Sequence, residues 1–399
     1  MSVADPSMTS KSAAPAAGYA VGIRDPRLDF FRGIAMFIIL IAHTPGNWLT
    51  LWIPARFGFS DATEIFVFCS GMASAIAFGR VFREQGLGMG SARVGFRVWQ
   101  VYWAHVCLFI AIAATMVVLN AMFPDGDRNY VNQLNLGHFF DRPMENLVGI
   151  LTLTYVPNYF DILPMYIVIL VMMPVMVFLA RVHVLLVVAA SLAIWLAANF
   201  EWLNLPAEPW SDRKWFFNPF GWQLVFYTGF ALMSGWFRPP PVDKRLFWTA
   251  VVIVLVIVPF AYFRIHREVE FIQEWRTEWK FLFAKTEFGI LRYIHFLALA
   301  YVAWVLVGPK GDNIQPRGDG PFARSWTVIL KVIMKVGQQS LAVFIASMYI
   351  ARILGAIFDQ VGKTHFTMLW VNALGFALII LVAFGAGWFK GQPWKKRKA

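Results

Sequence analysis

Ten stretches of the chain are apolar over a length that matches a lipid bilayer, and this feature limits its fold more than any other. The hydrocarbon core of a membrane is about 30 Å thick, and a helix rising 1.5 Å per residue needs about 20 apolar residues to cross it. Runs of that kind cover 29–51, 62–82, 101–123, 162–180, 183–200, 219–237, 246–263, 290–307, 338–358 and 368–389. In lipid every backbone polar group must be satisfied within the protein. The expected class is therefore all-α: a polytopic integral membrane protein of about ten transmembrane helices. Composition agrees, with 59% hydrophobic and only 15% charged residues, against about 25% charged in soluble domains. The first run lies too far from the start, and is too long, for a cleaved signal peptide. Residues 1–22, rich in Ser, Ala and Pro, read as a disordered tail. Residues 23–390 read as one ten-helix membrane domain and 391–399 as a basic tail.

Ten spans place both termini on one side, and the charges test this. With the termini inside, 22 of the 35 basic residues and 7 of the 23 acidic ones fall on the inner side. The inner face then carries +15 and the outer −3, within the overall +12. Positive charge collects inside, so the net charge reports topology and no nucleic-acid partner is expected. The segment 145–157 is apolar but short and reads as interfacial or re-entrant. No internal repeat of the kind common in transporters is evident. Two cysteines exclude a disulfide scaffold, and no His/Cys/acid spacing suggests a metal site.

Ionisable residues at membrane depth are costly and mark sites. The first span carries Arg32 and His43, eleven residues apart. At 100° per residue they share a helix face, about 16 Å apart along the axis. Asp29 lies one turn below Arg32. Glu64 enters the second span from the outer side, at a depth suited to orienting a His43 general base. The competing reading makes Glu64 a first-turn carboxylate stabilised by the helix dipole. Asp161 opens the fourth span at the same outer level, as a site residue or as an N-cap. Arg93 and Arg97, four apart on the inner flank of the third span, either bind phosphates or anchor the span. The outer segment 264–288 reads as an amphipathic helix with Phe271, Trp275 and Trp279 at four-residue steps. It lies along the interface or lines a sugar site. His295 is the only rival base. Cys69 and Cys107 read as small hydrophobes.

At these residues the sequence resembles a known family. Arg32, ten residues, then His43 is similar to the arginine–histidine signature of the acyltransferase-3 superfamily of membrane acyltransferases. RDPRLDFFRGIA at 24–35 resembles that superfamily's opening, and EIFVFCSGMA, with Ser70-Gly71, its second span. DATEIFVFCSG, DILPMY at 161–166, FNPFGWQLVF at 217–226 and GQQSLAVFIAS at 337–347 resemble the OpgC branch. Met72 stands where an aromatic often follows Ser-Gly. The resemblance runs from about residue 24 to 390. It implies ten spans in the bacterial inner membrane and transfer of an acyl group, notably succinyl, to hydroxyls of osmoregulated periplasmic glucans. It implies His43 as catalytic and Arg32 as functional. The expected donor is acyl-CoA (succinyl-CoA or acetyl-CoA), with no tightly bound cofactor. The expected site is His43 with Glu64 for catalysis, Arg32, Arg93 and Arg97 on the donor, and Asp161, Tyr166, Trp275 and Trp279 on the acceptor side. Direct transfer and an acyl-His43 intermediate both stay open. So do acetylation of another envelope polysaccharide or lipid-linked sugar, a glycan transporter or flippase, and homo-oligomerisation within the lipid.

Overall fold

The computed structural model describes residues 25–124 and 128–395. The expected tail at 1–22 and residues 396–399 of the basic tail lie outside them. Helices dominate the described residues, and the one β-pairing among them is an isolated bridge between Pro206 and Lys214.

The ten longest helices are labelled here in chain order. α1 spans Pro26–His43. The Asp25 carboxylate caps its start by accepting the Arg27 N–H, and Pro26 fills the first position, where no N–H is needed. The expected first span continued to residue 51, but the helix stops at His43. Pro45 follows, and Gly46 adopts φ +76°, which ends helical geometry. Two 3-10 turns, Trp48–Leu51 and Pro54–Arg56, complete the connection. α2 spans Ala62–Met122 and opens with a capping box, in which the Asp61 side chain accepts the Thr63 N–H and Glu64 accepts the Asp61 N–H. Its 61 residues would measure about 90 Å if straight, but Gly86 at φ +85° breaks it. The two arms contain the expected spans 62–82 and 101–123.

The remaining long helices are α3 (Ile162–Val182), α4 (Val184–Asn199), α5 (Pro219–Ser234), α6 (Lys244–Ala261), α7 (Ile290–Val307), α8 (Pro321–Gln338), α9 (Ser340–Val361) and α10 (His365–Gly391). Six helices, α2, α3, α6, α7, α9 and α10, are long and apolar enough to cross a membrane. α1 carries Arg27, Asp29 and Arg32, and α4 and α5 have only 16 residues each.

Two sequence readings are redrawn. The expected inner loop 308–337 contains α8, which packs along α1. Gly337 brings the helices so close that a Cβ there would run into the Asp29 backbone carbonyl, and one at Gly33 would meet the Ile333 carbonyl. The expected amphipathic helix over 264–288 is instead three short ones, Phe263–His266, Glu270–Glu278 and Lys280–Phe283. The short apolar segment forms the helix Pro143–Thr152, which ends at Leu153 in the left-handed conformation. The largest interhelical contact joins α2 to α5. Gly71 sits on the Phe226 carbonyl and Gly229 on the Phe68 carbonyl, so small residues on both partners let the backbones touch.

Candidate functional site

A cavity of about 190 Å³ lies among α1, both arms of α2, α3 and the start of α9. Arg32, Arg93 and Arg97 all line it, as do Tyr166, Ser70, Ser74 and Ser340. Residues from four distant parts of the chain thus converge. The Arg32 guanidinium donates to the Ser340 hydroxyl, which fixes its head beside the cavity. Arg97 donates to Gln100 at 3.1 Å, and Arg93 is exposed. The Tyr166 hydroxyl lies 3.5 Å from the Ser74 hydroxyl. Three guanidiniums around polar hydroxyls make an anion-binding surface, because planar forks match phosphate and carboxylate oxygens. Tyr166 was expected on the acceptor side. The structure places it with the arginines, since α3 packs on α2 and turns this face inward.

His43 is the last residue of α1, so it stands at the helix end and not within a helix that continues to residue 51. Its Nδ1 lies 2.8 Å from the Ile39 carbonyl. A carbonyl only accepts, so Nδ1 carries the proton and, in the neutral ring, Nε2 carries the lone pair. The Tyr159 ring meets His43 edge-on, with centroids 5.2 Å apart. The Arg352 guanidinium stacks 3.7 Å above the Tyr159 ring centre and donates to the His43 backbone carbonyl at 3.4 Å. Tyr159 holds φ +86°, a conformation that costs a bulky residue about 1–3 kcal/mol and clusters at functional sites. Its hydroxyl donates to the Met348 carbonyl at 2.7 Å, which ties it to α9. The chain from Tyr159 to Tyr166 borders both places: Tyr159 touches His43, while Ile162, Leu163 and Tyr166 line the arginine cavity.

Glu64 does not orient His43. It is fully buried and spends one oxygen on the capping box and the other on Arg292 Nε at 2.7 Å. Asp61 beside it takes Lys285 Nζ at 2.6 Å, with Arg292 at 3.7 Å. Two acids and two bases from α2, α7 and the loop before α7 thus neutralise one another, and this cluster lies close enough for Lys285 and Asp61 to act on His43 through space. The orienting group on the imidazole is a backbone carbonyl, not a carboxylate.

Asp161 is buried and does not cap α3. Its carboxylate accepts the Phe216 N–H at 3.0 Å, so it fastens the 201–218 loop to the top of α3. Glu208 in that loop accepts from Arg213 at 2.8 Å and Ser211 at 2.5 Å. Burial pushes its carboxyl up, but these donors and the Arg213 charge outweigh that and hold it below its ordinary value. Trp275 packs between Phe260 and Phe283, and Phe283 stacks on Phe59. It belongs to an aromatic stack that seats the short helices. Trp279 is exposed, and neither tryptophan lines the arginine cavity.

His295 is buried, and its Nδ1 accepts the Ser60 N–H at 3.2 Å and lies 2.7 Å from the Ser60 hydroxyl. Gly58 packs directly against the imidazole, so the ring is walled in as a structural strut. Cys69 is buried and Cys107 exposed. Among the described residues no group of three or more His, Cys, Asp or Glu is placed to hold a metal ion. Sequence reasoning missed Tyr159, Lys285, Arg292, Ser340 and Arg352. The intramembrane arginines carried a signal, since Arg292 and Arg352 sit inside apolar runs.

A family model described as OpgC protein matches residues 24–391. No curated protein and no solved structure matches the chain.

Proposed function

The chain belongs to the OpgC family, and on that premise we propose that it is an acyl-CoA-dependent O-acyltransferase of the bacterial inner membrane. It crosses the membrane ten times with both termini in the cytoplasm, as an acyltransferase-3 type fold. It moves an acyl group, succinyl in the first instance, to hydroxyls of osmoregulated periplasmic glucans.

The observation that carries this reading is the single cavity shared by Arg32, Arg93 and Arg97. CoA is anionic at its nucleotide end, and three guanidiniums offer its phosphates a charged seat at the cytoplasmic end of α1. From Arg32 to His43 the helix rises about 16 Å, a distance an extended pantetheine arm covers. The Tyr159–Tyr166 segment, which borders both places, walls that route. At its far end the Nε2 lone pair of His43 accepts the proton of a glucan hydroxyl as the hydroxyl oxygen attacks the thioester carbonyl carbon. The carbonyl π pair moves onto oxygen. Collapse of that oxyanion breaks the C–S bond, and the thiolate takes the proton back from the imidazolium. The products are the ester and free CoA, with no external reductant or gradient. Direct transfer accounts for every proton, so no acyl-His43 intermediate is invoked.

Full-length protein in detergent, given acyl-CoA and unsubstituted glucan, tests the reading by mass spectrometry of the glucan. Ester formation without a membrane gradient supports an enzyme. Glucan that gains no acyl mass with either succinyl-CoA or acetyl-CoA removes this reading and returns the chain to glycan transport.

A further inference from the structure

The base described above lacks what most general bases have, a carboxylate to balance the imidazolium. His43 Nδ1 is bound to the neutral Ile39 carbonyl, and Glu64 is committed to Arg292. The charged group in contact with His43 is instead a cation. Arg352 is half-buried, and it is held by the Tyr159 ring face and by the carbonyl of His43 itself. Both contacts position a guanidinium without neutralising it. Asp359, two turns further along α9, is engaged by Arg128 and Lys363. Arg352 Nε is buried with no hydrogen-bond partner among the described residues. An uncompensated, under-bonded guanidinium is costly, and the strained Tyr159 backbone that supports it adds to that cost.

We propose that Arg352, seated on Tyr159, is the oxyanion-binding residue of the His43 site. This rests on the acyltransferase reading. When the hydroxyl attacks and its proton moves to Nε2, the reacting group carries a positive imidazolium and a negative carbonyl oxygen. A cation fixed at that point opposes the first charge alone but stabilises the second. A guanidinium already in place costs no reorganisation at the moment of reaction. Tyr159, with its left-handed backbone, lies beneath Arg352 and meets the His43 ring at 72°, so one residue touches both.

The test uses purified full-length protein with the acyl donor that supports wild-type turnover. Arg352→Gln is expected to lower kcat about 100- to 1,000-fold, with the KM for acyl-CoA changed by less than about twofold. Arg352→Lys is expected to keep part of the activity, and free guanidinium ion is expected to restore part of the activity of Arg352→Ala. A purely structural arginine would show no such rescue. If Arg352→Gln does not fold, the Lys variant and the rescue experiment decide. Unchanged kcat in Arg352→Gln, or an effect on KM alone, overturns the proposal. A loss seen with a dicarboxylic acyl-CoA but not with acetyl-CoA also overturns it, because the arginine would then read the acyl carboxylate. His43→Ala run in parallel separates the levels: an active His43→Ala variant sinks the acyltransferase mechanism itself, whereas an inactive one beside an active Arg352→Gln sinks only the role of Arg352.

Discussion

The two ends of α1 handle charge in opposite ways. Around Arg32 three guanidiniums face a cavity among serines and a tyrosine. Around His43 the acids and bases of the neighbouring cluster meet one another, Glu64 with Arg292 in a buried pair and Asp61 with Lys285 in a half-buried one. A lined, cationic cavity is equipped to receive an anion and release it again. A closed network of paired charges is equipped to hold helices in register around a reactive group. On the proposed function one helix carries a binding end and a chemical end. Substitutions at the first should change how well the donor is held, and substitutions at the second should change folding or the chemical step.

The largest expected effect comes from breaking the closed end. Removing one partner of a buried ion pair leaves the other charge exposed to apolar surroundings, at about 3–5 kcal/mol. Arg292→Leu should therefore lower the thermal midpoint of the detergent-solubilised protein and its folded yield, read by fluorescence-detected size exclusion. The double variant Arg292→Leu with Glu64→Leu should recover much of the loss. An unaltered midpoint in Arg292→Leu would mean that this cluster does not hold α2 to α7.

Next in size is the open end. Arg32→Ala should weaken acyl-CoA binding by about 10- to 100-fold, as expected for a charge-assisted pair of 1.5–3 kcal/mol, with little change in thermal stability. Calorimetry with acyl-CoA measures it. Arg93→Ala and Arg97→Ala should each weaken binding by a few-fold, because Arg93 is exposed and open to salt screening and Arg97 is shared with Gln100. If none of the three affects donor affinity, the cavity has another occupant and the contrast between the two ends loses its functional half.

The smallest effect is in the 201–218 loop. Glu208 is held below its ordinary carboxyl pKa near 4.5. A depressed folded value gives stability that is present above the unfolded pKa and fades as pH falls through the folded one. Protease nicking of this loop should therefore stay constant from neutral pH down to about 5 and rise only below about 4. Glu208→Gln should show the acid-state rate at every pH. Nicking that rises between pH 7 and 5 would point to a different anchor.

Much of the fold was legible because apolar length is a strong local signal: helices lie over every expected span. Boundaries were less so. A hydropathy window averages across Pro45 and Gly46, so α1 looked longer than it is and His43 looked deeper. α8 has no hydropathy signal of its own because its apolar stripe alternates with Arg324, Lys331 and Lys335, which lowers the mean over any window. Within the site, Arg32 and His43 could be related because both lie on one helix, where spacing fixes geometry. Arg352 and Tyr159 could not, because their approach to His43 depends on how α9 and the loop before α3 pack against the end of α1. Glu64 shows the same limit. Its capping role is written in four consecutive residues, but its pairing with Arg292 is set by a contact between α2 and α7, and that pairing withdraws it from the imidazole.

The most direct measurement is a single-turnover assay on His43→Gln with radiolabelled acyl-CoA, read together with acyl-CoA affinity in the same preparation. The account predicts wild-type affinity, since the arginine cavity is intact, and no labelled glucan. Labelled ester at the wild-type rate would contradict it, because the lone pair on His43 Nε2 would then have no part in moving the acyl group.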